Sequence, residues 1–372
     1  MHQLIVSPQS DKYVVVRPGA RNGMQIPHAM YAEAANTVEK GAPLPPWLIQ
    51  AANRAWRLRL DQSESYRAVL VRPLTALNYG RATWELNRGC NFACDMCVVW
   101  KRPVEGLPME GKRKLLEMVR DAGVLWFQFT GGEPTIDQDF LESYRLAYGM
   151  GMMIEILTNG TRLNHGSTLE VLTALPPHKV TVSVYGATAE SFDSLTRKRG
   201  AFKRVMAGLA AAKEAGLQLE LTLIVTRHNG HEADAMRALA EQYGPYKEYR
   251  NISPSYDSDP GPLSSQVPEY IDRSSVFTGC PAGHTFFHLD PFGNATMCKV
   301  GRENPINLMT EGLDGLLRLP AIADAQMLRT GGCSGCQISD KCRVCRPVAK
   351  LYQEAKAPLR NYCQHGFEEE PA

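Results

Sequence analysis

The ten cysteines of this 372-residue chain are segregated, and that constrains its fold more than any other feature. Three lie in the run Cys90-Asn91-Phe92-Ala93-Cys94-Asp95-Met96-Cys97. None lies between 98 and 279, and the rest are Cys280, Cys298, Cys333, Cys336, Cys342, Cys345 and Cys363. The long thiol-free middle must fold on its apolar pattern alone, whereas the two cysteine-bearing stretches take their shape from what the thiols bind. The first residues, Met1 to Val6, lack the basic region and apolar core of a secretion signal. The chain is therefore expected to be cytoplasmic, where disulfides are disfavoured and metal binding is the better use of the thiols. Three thiolates within eight residues can hold three irons of a cubic [4Fe–4S] cluster and leave the fourth open to a small molecule. The competing reading of the same residues is half of a zinc site with a distant fourth ligand.

The middle alternates as an α/β protein does. Strand-like segments at 82–87, 124–129, 153–157, 179–184, 217–226 and 248–253 are separated by helical stretches, the clearest at 108–122 and 202–215. Parallel strands covered on both faces account for near-continuous apolar runs. The second strand ends in Thr130-Gly131-Gly132-Glu133-Pro134, where two glycines let the backbone approach a ligand closely and Glu133 places a carboxylate. Asn159, Ser183 and Thr226 fall at the ends of later strands; each also suits a polar turn that bonds its own backbone.

The cysteine run resembles the CxxxCxxC motif of the radical S-adenosylmethionine (radical SAM) superfamily, and Gly131-Gly132-Glu133-Pro134 matches its GGEP segment. The resemblance implies that Cys90, Cys94 and Cys97 hold a [4Fe–4S] cluster whose open iron chelates SAM. One-electron reduction then yields a 5'-deoxyadenosyl radical that takes a substrate hydrogen. It implies SAM contacts from Gly131, Gly132 and Glu133, and from Met96, Asn159, Ser183 and Thr226. Met96 stands where the family usually has an aromatic residue against the adenine; a thioether can also lie on a ring. Six βα units imply a partial (β/α)6 TIM-like barrel over 79–255, with its chemistry at the C-terminal strand ends.

The tail, 256–372, resembles the SPASM extension, which carries two auxiliary iron–sulfur clusters. By that resemblance Cys280, Cys298 and Cys345 hold auxiliary cluster I, and Cys333, Cys336, Cys342 and Cys363 hold auxiliary cluster II. The spacing from Cys342 to Cys345 is one residue shorter than the usual pattern. Cluster I is one ligand short, and His284 and His288 are either candidates for it or satisfied structural histidines. Residues 286–294 are expected to form a hairpin turning at 291–294, and 253–266 a linker.

Residues 1–78 are expected to form a small α+β extension, with strands at 12–17 and 24–26 and helices at 29–39 and 46–60. They resemble a truncated winged-helix module that grips a leader peptide; a cap over the barrel mouth is the alternative. An edge strand there can bind an extended peptide by strand addition. Net charge is only +2, so nothing points to nucleic acid, and no apolar run reaches the roughly 20 residues needed to span a membrane. The combined expectation is a radical SAM/SPASM enzyme with three [4Fe–4S] clusters, reduced by a donor such as flavodoxin or ferredoxin. It would form a carbon–carbon or thioether cross-link in a ribosomally made precursor peptide. The alternatives are a small-molecule enzyme, such as a sugar epimerase or dehydratase in antibiotic synthesis, and a sulfatase-type formylglycine maturase.

Overall fold

The computed structural model describes residues 2–60, 65–99, 103–271, 276–329, 333–337 and 339–363. Among them, no helix is long and apolar enough to cross a membrane.

The N-terminal unit is built from β1 (Leu4–Gln9), β2 (Lys12–Val16), β3 (Gly23–Ile26), α1 (His28–Glu39), α2 (Pro46–Trp56) and β4 (Val69–Val71). Its sheet has the order β3-β2-β1-β4, antiparallel except for the β1–β4 pair. Both β1 and β4 escape the sequence reading, which has only two strands here. The pattern of β1 explains why: Leu4, Ile5 and Val6 are all fully buried, so it lacks the alternation of a half-exposed strand. Leu4 and Val6 pack with Tyr31, Ala34, Leu48 and Ala52 of the two helices. Ile5, on the other face, packs with Val16, Leu125 and Met153.

The barrel follows as β5 (Arg81–Glu85), α3 (Met109–Asp121), β6 (Trp126–Thr130), α4 (Phe140–Gly149), β7 (Met153–Thr158) and α5 (Gly166–Ala174). It continues with β8 (Lys179–Val184), α6 (Ala189–Thr196), α7 (Ala201–Glu214), β9 (Leu219–Ile224), α8 (Ala233–Glu241) and β10 (Tyr246–Tyr249). Each of the six strands pairs in parallel with its neighbour in sequence, from Glu85↔Thr130 at one end to Tyr249↔Ile224 at the other. Parallel neighbours require crossover connections, and the helices supply them. These strands match the α/β reading, but they are not apolar throughout. The helix-facing residues are apolar, as where Trp84, Phe127, Phe129 and Phe140 stack with centroids 5.0–6.3 Å apart. The intervening residues are largely polar: Thr83 and Glu85, Gln128 and Thr130, Glu155, Thr181 and Ser183, Glu220 and Thr222. Gln128 and Arg81 both bond Glu155 Oε2, at 3.2 and 2.5 Å, so hydrogen bonds fill the interior where both-sided apolar cover was expected.

The sheet does not stop at 255. β11 (Phe286–Leu289) pairs in parallel with β5, and the antiparallel β12 (Asn294–Thr296) and β13 (Ile306–Asn307) extend it to nine strands. The hairpin is thus present, turning at 290–293, and it is part of the barrel sheet. Three further helices complete the tail: α9 (Leu308–Glu311), α10 (Leu319–Gln326) and α11 (Arg346–Glu354).

Ile5 meets Leu125 and Met153 at the start of β6 and β7, and His178 Nδ1 lies 2.9 Å from the Ala20 carbonyl just before β8. The N-terminal unit therefore closes the bottom of the barrel. Of the two readings of this segment, a cap over the mouth does not match that placement, since β1 and β2 bring Ile5 and Val16 onto Leu125 and Met153 at the other end.

Candidate functional site

At the opposite, C-terminal ends of the strands lies a cavity of about 500 Å³. Cys90, Cys94 and Cys97 line it, together with Met96, Gly131, Gly132, Asn159 and Ser183. Cys90 and Ser183, 93 positions apart in sequence, meet there because successive parallel strands end side by side.

The cysteine loop is stitched into place by its own backbone. Ala93 N–H donates to the Thr196 carbonyl at 3.0 Å and Asp95 N–H to the Leu195 carbonyl at 3.3 Å, both at the end of α6. Arg197, the C-cap of α6, pairs with Asp95 of the cysteine run. Phe92 wedges edge-on between Tyr185 and Phe192, each with centroids 6.4 Å away.

Gly131 and Gly132 are required by the chain's own packing. A Cβ on Gly132 would sit 2.0 Å from the Gly89 carbonyl oxygen, and one on Gly131 2.5 Å from the Asn87 oxygen. Gly131 also adopts φ +139°. The close approach foreseen for a ligand is thus made first by the strand-to-cysteine segment, which bonds Gly132 N–H and Glu133 N–H through the Asn87 and Gly89 carbonyls at 3.1 and 2.8 Å.

Two expected SAM contacts have side chains outside the cavity lining. Glu133 is fully buried and its carboxylate is turned into the protein. Oε1 accepts from Thr135 N–H at 3.0 Å, Thr135 Oγ1 at 2.5 Å and Thr158 Oγ1 at 2.7 Å, and Oε2 accepts from Asn159 N–H at 2.6 Å. Burial pushes its pKa up against the pull of these donors. Thr226 is also fully buried, its N–H donating to Asn229 Oδ1 at 2.7 Å in a local turn. Asn159 lines the cavity with its amide engaged: Nδ2 donates to Asn91 Oδ1 at 2.7 Å and lies 3.7 Å from Cys90 Sγ, while Oδ1 accepts from Thr161. Ser183 hydrogen-bonds Tyr185, another lining residue that sequence reading missed.

Burial raises the Cys90 thiol to about 12, helped by the charges of Glu133 and Cys97, and it raises Cys94 further, helped by Cys97 and Cys90. Without a metal these would be protonated thiols. A cationic cluster is what stabilises thiolates at this cavity wall, and the donor set suits iron–sulfur binding. Among the described residues no three His, Cys, Asp or Glu side chains converge on a single ion.

Beside the cavity, Glu85 anchors a polar knot. Arg302 donates to its Oε1 at 2.6 Å, His288 Nε2 lies 3.6 Å away, and His288 Nδ1 is 2.7 Å from Thr83 Oγ1. Burial raises the Glu85 carboxyl, but His288, Arg302 and Lys299 together bring it well below the usual range. His284 bonds Asp324 at 2.8 Å. Both histidines therefore have partners within the chain.

In the tail, the charges of Cys298 and Cys280 act on Cys345, whose thiol burial pushes up to about 11. Cys333 and Cys363 both act on Tyr362. The scaffold is α11: Cys345 is its N-cap, its Arg346 donates to Cys342 Sγ at 3.1 Å, and its Gln353 donates to Cys333 Sγ at 3.3 Å. Cys336 is placed only by its N–H to the Cys333 carbonyl, 3.4 Å.

Residues 84–240 match the family model of the radical SAM superfamily. The chain is 30% identical over 237 residues to the mycofactocin maturase MftC of Mycobacterium ulcerans, covering 59% of this chain and 63% of that protein. It is 30% identical over 149 residues to the AdoMet-dependent heme synthase of Oleidesulfovibrio alaskensis, covering 39% and 38%. The chain thus spans about three fifths of the length of the first curated relatives it matches. In fold it resembles Streptococcus suis SuiB bound to the precursor peptide SuiA, with a TM-score of 0.57 at 15% identity, covering 92% and 93%. Residues 84–240 are thus a radical SAM domain, and the fold around the cavity agrees with that.

Proposed function

We propose that this chain is a radical SAM enzyme that modifies a peptide. The observation that carries the reading is the single cavity wall holding Cys90, Cys94, Cys97 and the Gly131–Gly132 backbone. When bound there, SAM and a reduced [4Fe–4S] cluster supply a 5'-deoxyadenosyl radical that abstracts a substrate hydrogen atom. The chain's own contribution is to position and shield. Asn159 ties Cys90's loop to β7, Met96 and Tyr185 wall the cavity with apolar surface, and Gly131–Gly132, Asn159 and Ser183 are the nearest groups to hold SAM. Glu133 acts through position, by fixing the ends of β6 and β7, and Thr226 by closing a turn behind Tyr185. At about 500 Å³ the cavity has the size of a small-ligand site. Its rim residues Tyr249 and Asn251 also line a second groove, along which an extended substrate can enter.

A peptide substrate is supported by the likeness to a mycofactocin maturase. In this reading the net reaction is an oxidative cross-link within a precursor peptide, with flavodoxin or ferredoxin as reductant. The tail cysteines hold two auxiliary clusters, Cys280, Cys298 and Cys345 for one and Cys333, Cys336, Cys342 and Cys363 for the other. The free edge of β3 is the place for a leader peptide, though it lies at the barrel's far end from the cavity. The second reading, a small-molecule substrate, is favoured by the likeness to a heme synthase over the barrel.

The test is anaerobic reconstitution followed by counting of iron and sulfide and assay of SAM cleavage with reductant. About 12 irons with release of 5'-deoxyadenosine is expected, and the Cys90/Cys94/Cys97→Ala variant should keep about eight and lose cleavage. About four irons would remove the auxiliary clusters, and zinc with no cleavage would overturn the reading as a whole.

A further inference from the structure

Apart from its cysteine thiols, the cavity presents charge of only one sign among the described residues. Among its described lining residues two side chains are formally charged, Arg88 and Lys299, and no Asp or Glu lines it. Lys299 directly follows Cys298, and its Nζ donates to Thr130 Oγ1 at 3.2 Å, at the last residue of β6. An ammonium has three donors, and this bond uses one. Two negative groups act on Lys299: Glu85, which Arg302 holds directly at 2.6 Å, and Cys97 of the cysteine run. Arg88 rests on the Phe292 ring, 4.5 Å from the centroid, a contact that uses none of its five N–H donors.

Arg88 follows β5, and Lys299 reaches the end of β6 at Thr130. Arg88 also lines a small polar cavity of about 60 Å³ with Val98, Val99 and Asp290, on the side away from Ser183 and β8. The residues placed to hold SAM run from Gly131, next to Thr130, to Ser183. A half-buried ammonium with spare donors is best satisfied by a charged acceptor, and such hydrogen bonds are about twice as strong as neutral ones.

We propose that Lys299, assisted by Arg88, forms a carboxylate-binding pole of this cavity and orients the substrate by a carboxylate. The proposal rests on the radical SAM reading above. The methionine carboxylate of SAM offers the same chemistry, and the test separates the two sources.

Reconstituted full-length protein with SAM is dialysed to equilibrium against N-acetylated dipeptides, each supplied as the free acid and as the matched amide. Wild type is expected to bind free acids about tenfold or more tightly than amides, the scale of one charged hydrogen bond. Lys299→Met should reduce that preference to about twofold or less, Lys299→Arg should retain most of it, and SAM affinity should stay within about twofold in both. Arg88→Gln, expected to weaken the preference by a smaller factor, replaces Lys299→Met if that variant does not fold. No acid preference in wild type, including no binding of the acids, overturns the proposal. So does an unchanged preference in Lys299→Met. A tenfold loss of SAM affinity in that variant assigns the carboxylate to SAM instead. A shift in the cluster's reduction potential alone makes Lys299 a charge balance for the thiolates. Release of 5'-deoxyadenosine by the same wild-type preparation reports separately whether the radical reading stands.

Discussion

Replacing Glu133 with Gln tests whether this carboxylate is a clamp within the protein or a free ligand contact. Four donors converge on it: two backbone N–H groups, of Thr135 and Asn159, and two hydroxyls, of Thr135 and Thr158. A glutamine carbonyl can keep the three bonds of Oε1. Its NH2 must then replace Oε2, which accepts Asn159 N–H at 2.6 Å, and two donors would face each other. The loss is one charge-assisted bond, about 1.5–3 kcal/mol, and a buried backbone N–H left unpaired, about 1–3 kcal/mol. These overlap, so the expected penalty is about 3 kcal/mol, or roughly 150-fold in a local opening constant. Hydrogen exchange of residues 153–161, followed by mass spectrometry in SAM-free protein, reads that opening without assuming two-state unfolding of a multi-part chain. Protection should fall by about two decades. Unchanged protection in SAM-free Glu133→Gln, with SAM affinity lost, would refute the clamp and make Glu133 a direct contact.

Gly132→Ala places a methyl group 2.0 Å from a backbone oxygen that has little room to move; it should destabilise by about 3 kcal/mol or more and lose the iron held by the cysteine run, measured by melting and iron content. Acidification should weaken the metal-free protein in two stages. His288 is lowered from 6.5 by burial, so unfolding, which lets it take a proton, becomes easier as pH falls below that value. Glu85 lies below its usual 4.5 because His288, Arg302 and Lys299 outweigh the burial that raises it, so its contribution is present above 4.5 and lost as pH falls further. Urea midpoints from pH 5 to 2 should therefore drop less steeply in Glu85→Gln, and an identical acid limb would contradict the role of the Glu85–Arg302 pair.

The local chemistry of this chain is written in its sequence. The spacing Cys90, Cys94, Cys97 and the segment Gly131 to Pro134 are short-range patterns, and period and punctuation were enough to mark the six strands of the barrel. What a side chain does at a strand end is not short-range. Glu133 and Ser183 look alike as polar residues closing strands, yet one is turned into the wall by four donors and the other lines the cavity. That choice depends on which neighbouring strand supplies Thr158 and Asn159, a matter of sheet register. Nor does composition reveal that β1, buried on both faces, seals the barrel bottom, or that β11 joins β5 across 200 residues. Lys299 was silent for the same reason. A lysine after a cysteine is ordinary until the sheet carries it to Thr130, where desolvation and the absence of a lining carboxylate give its charge a meaning. Sequence alone determined the reactive groups and the order of the strands; tertiary structure decided which groups face the cavity, because burial and partnership are properties of neighbours brought together only by the fold.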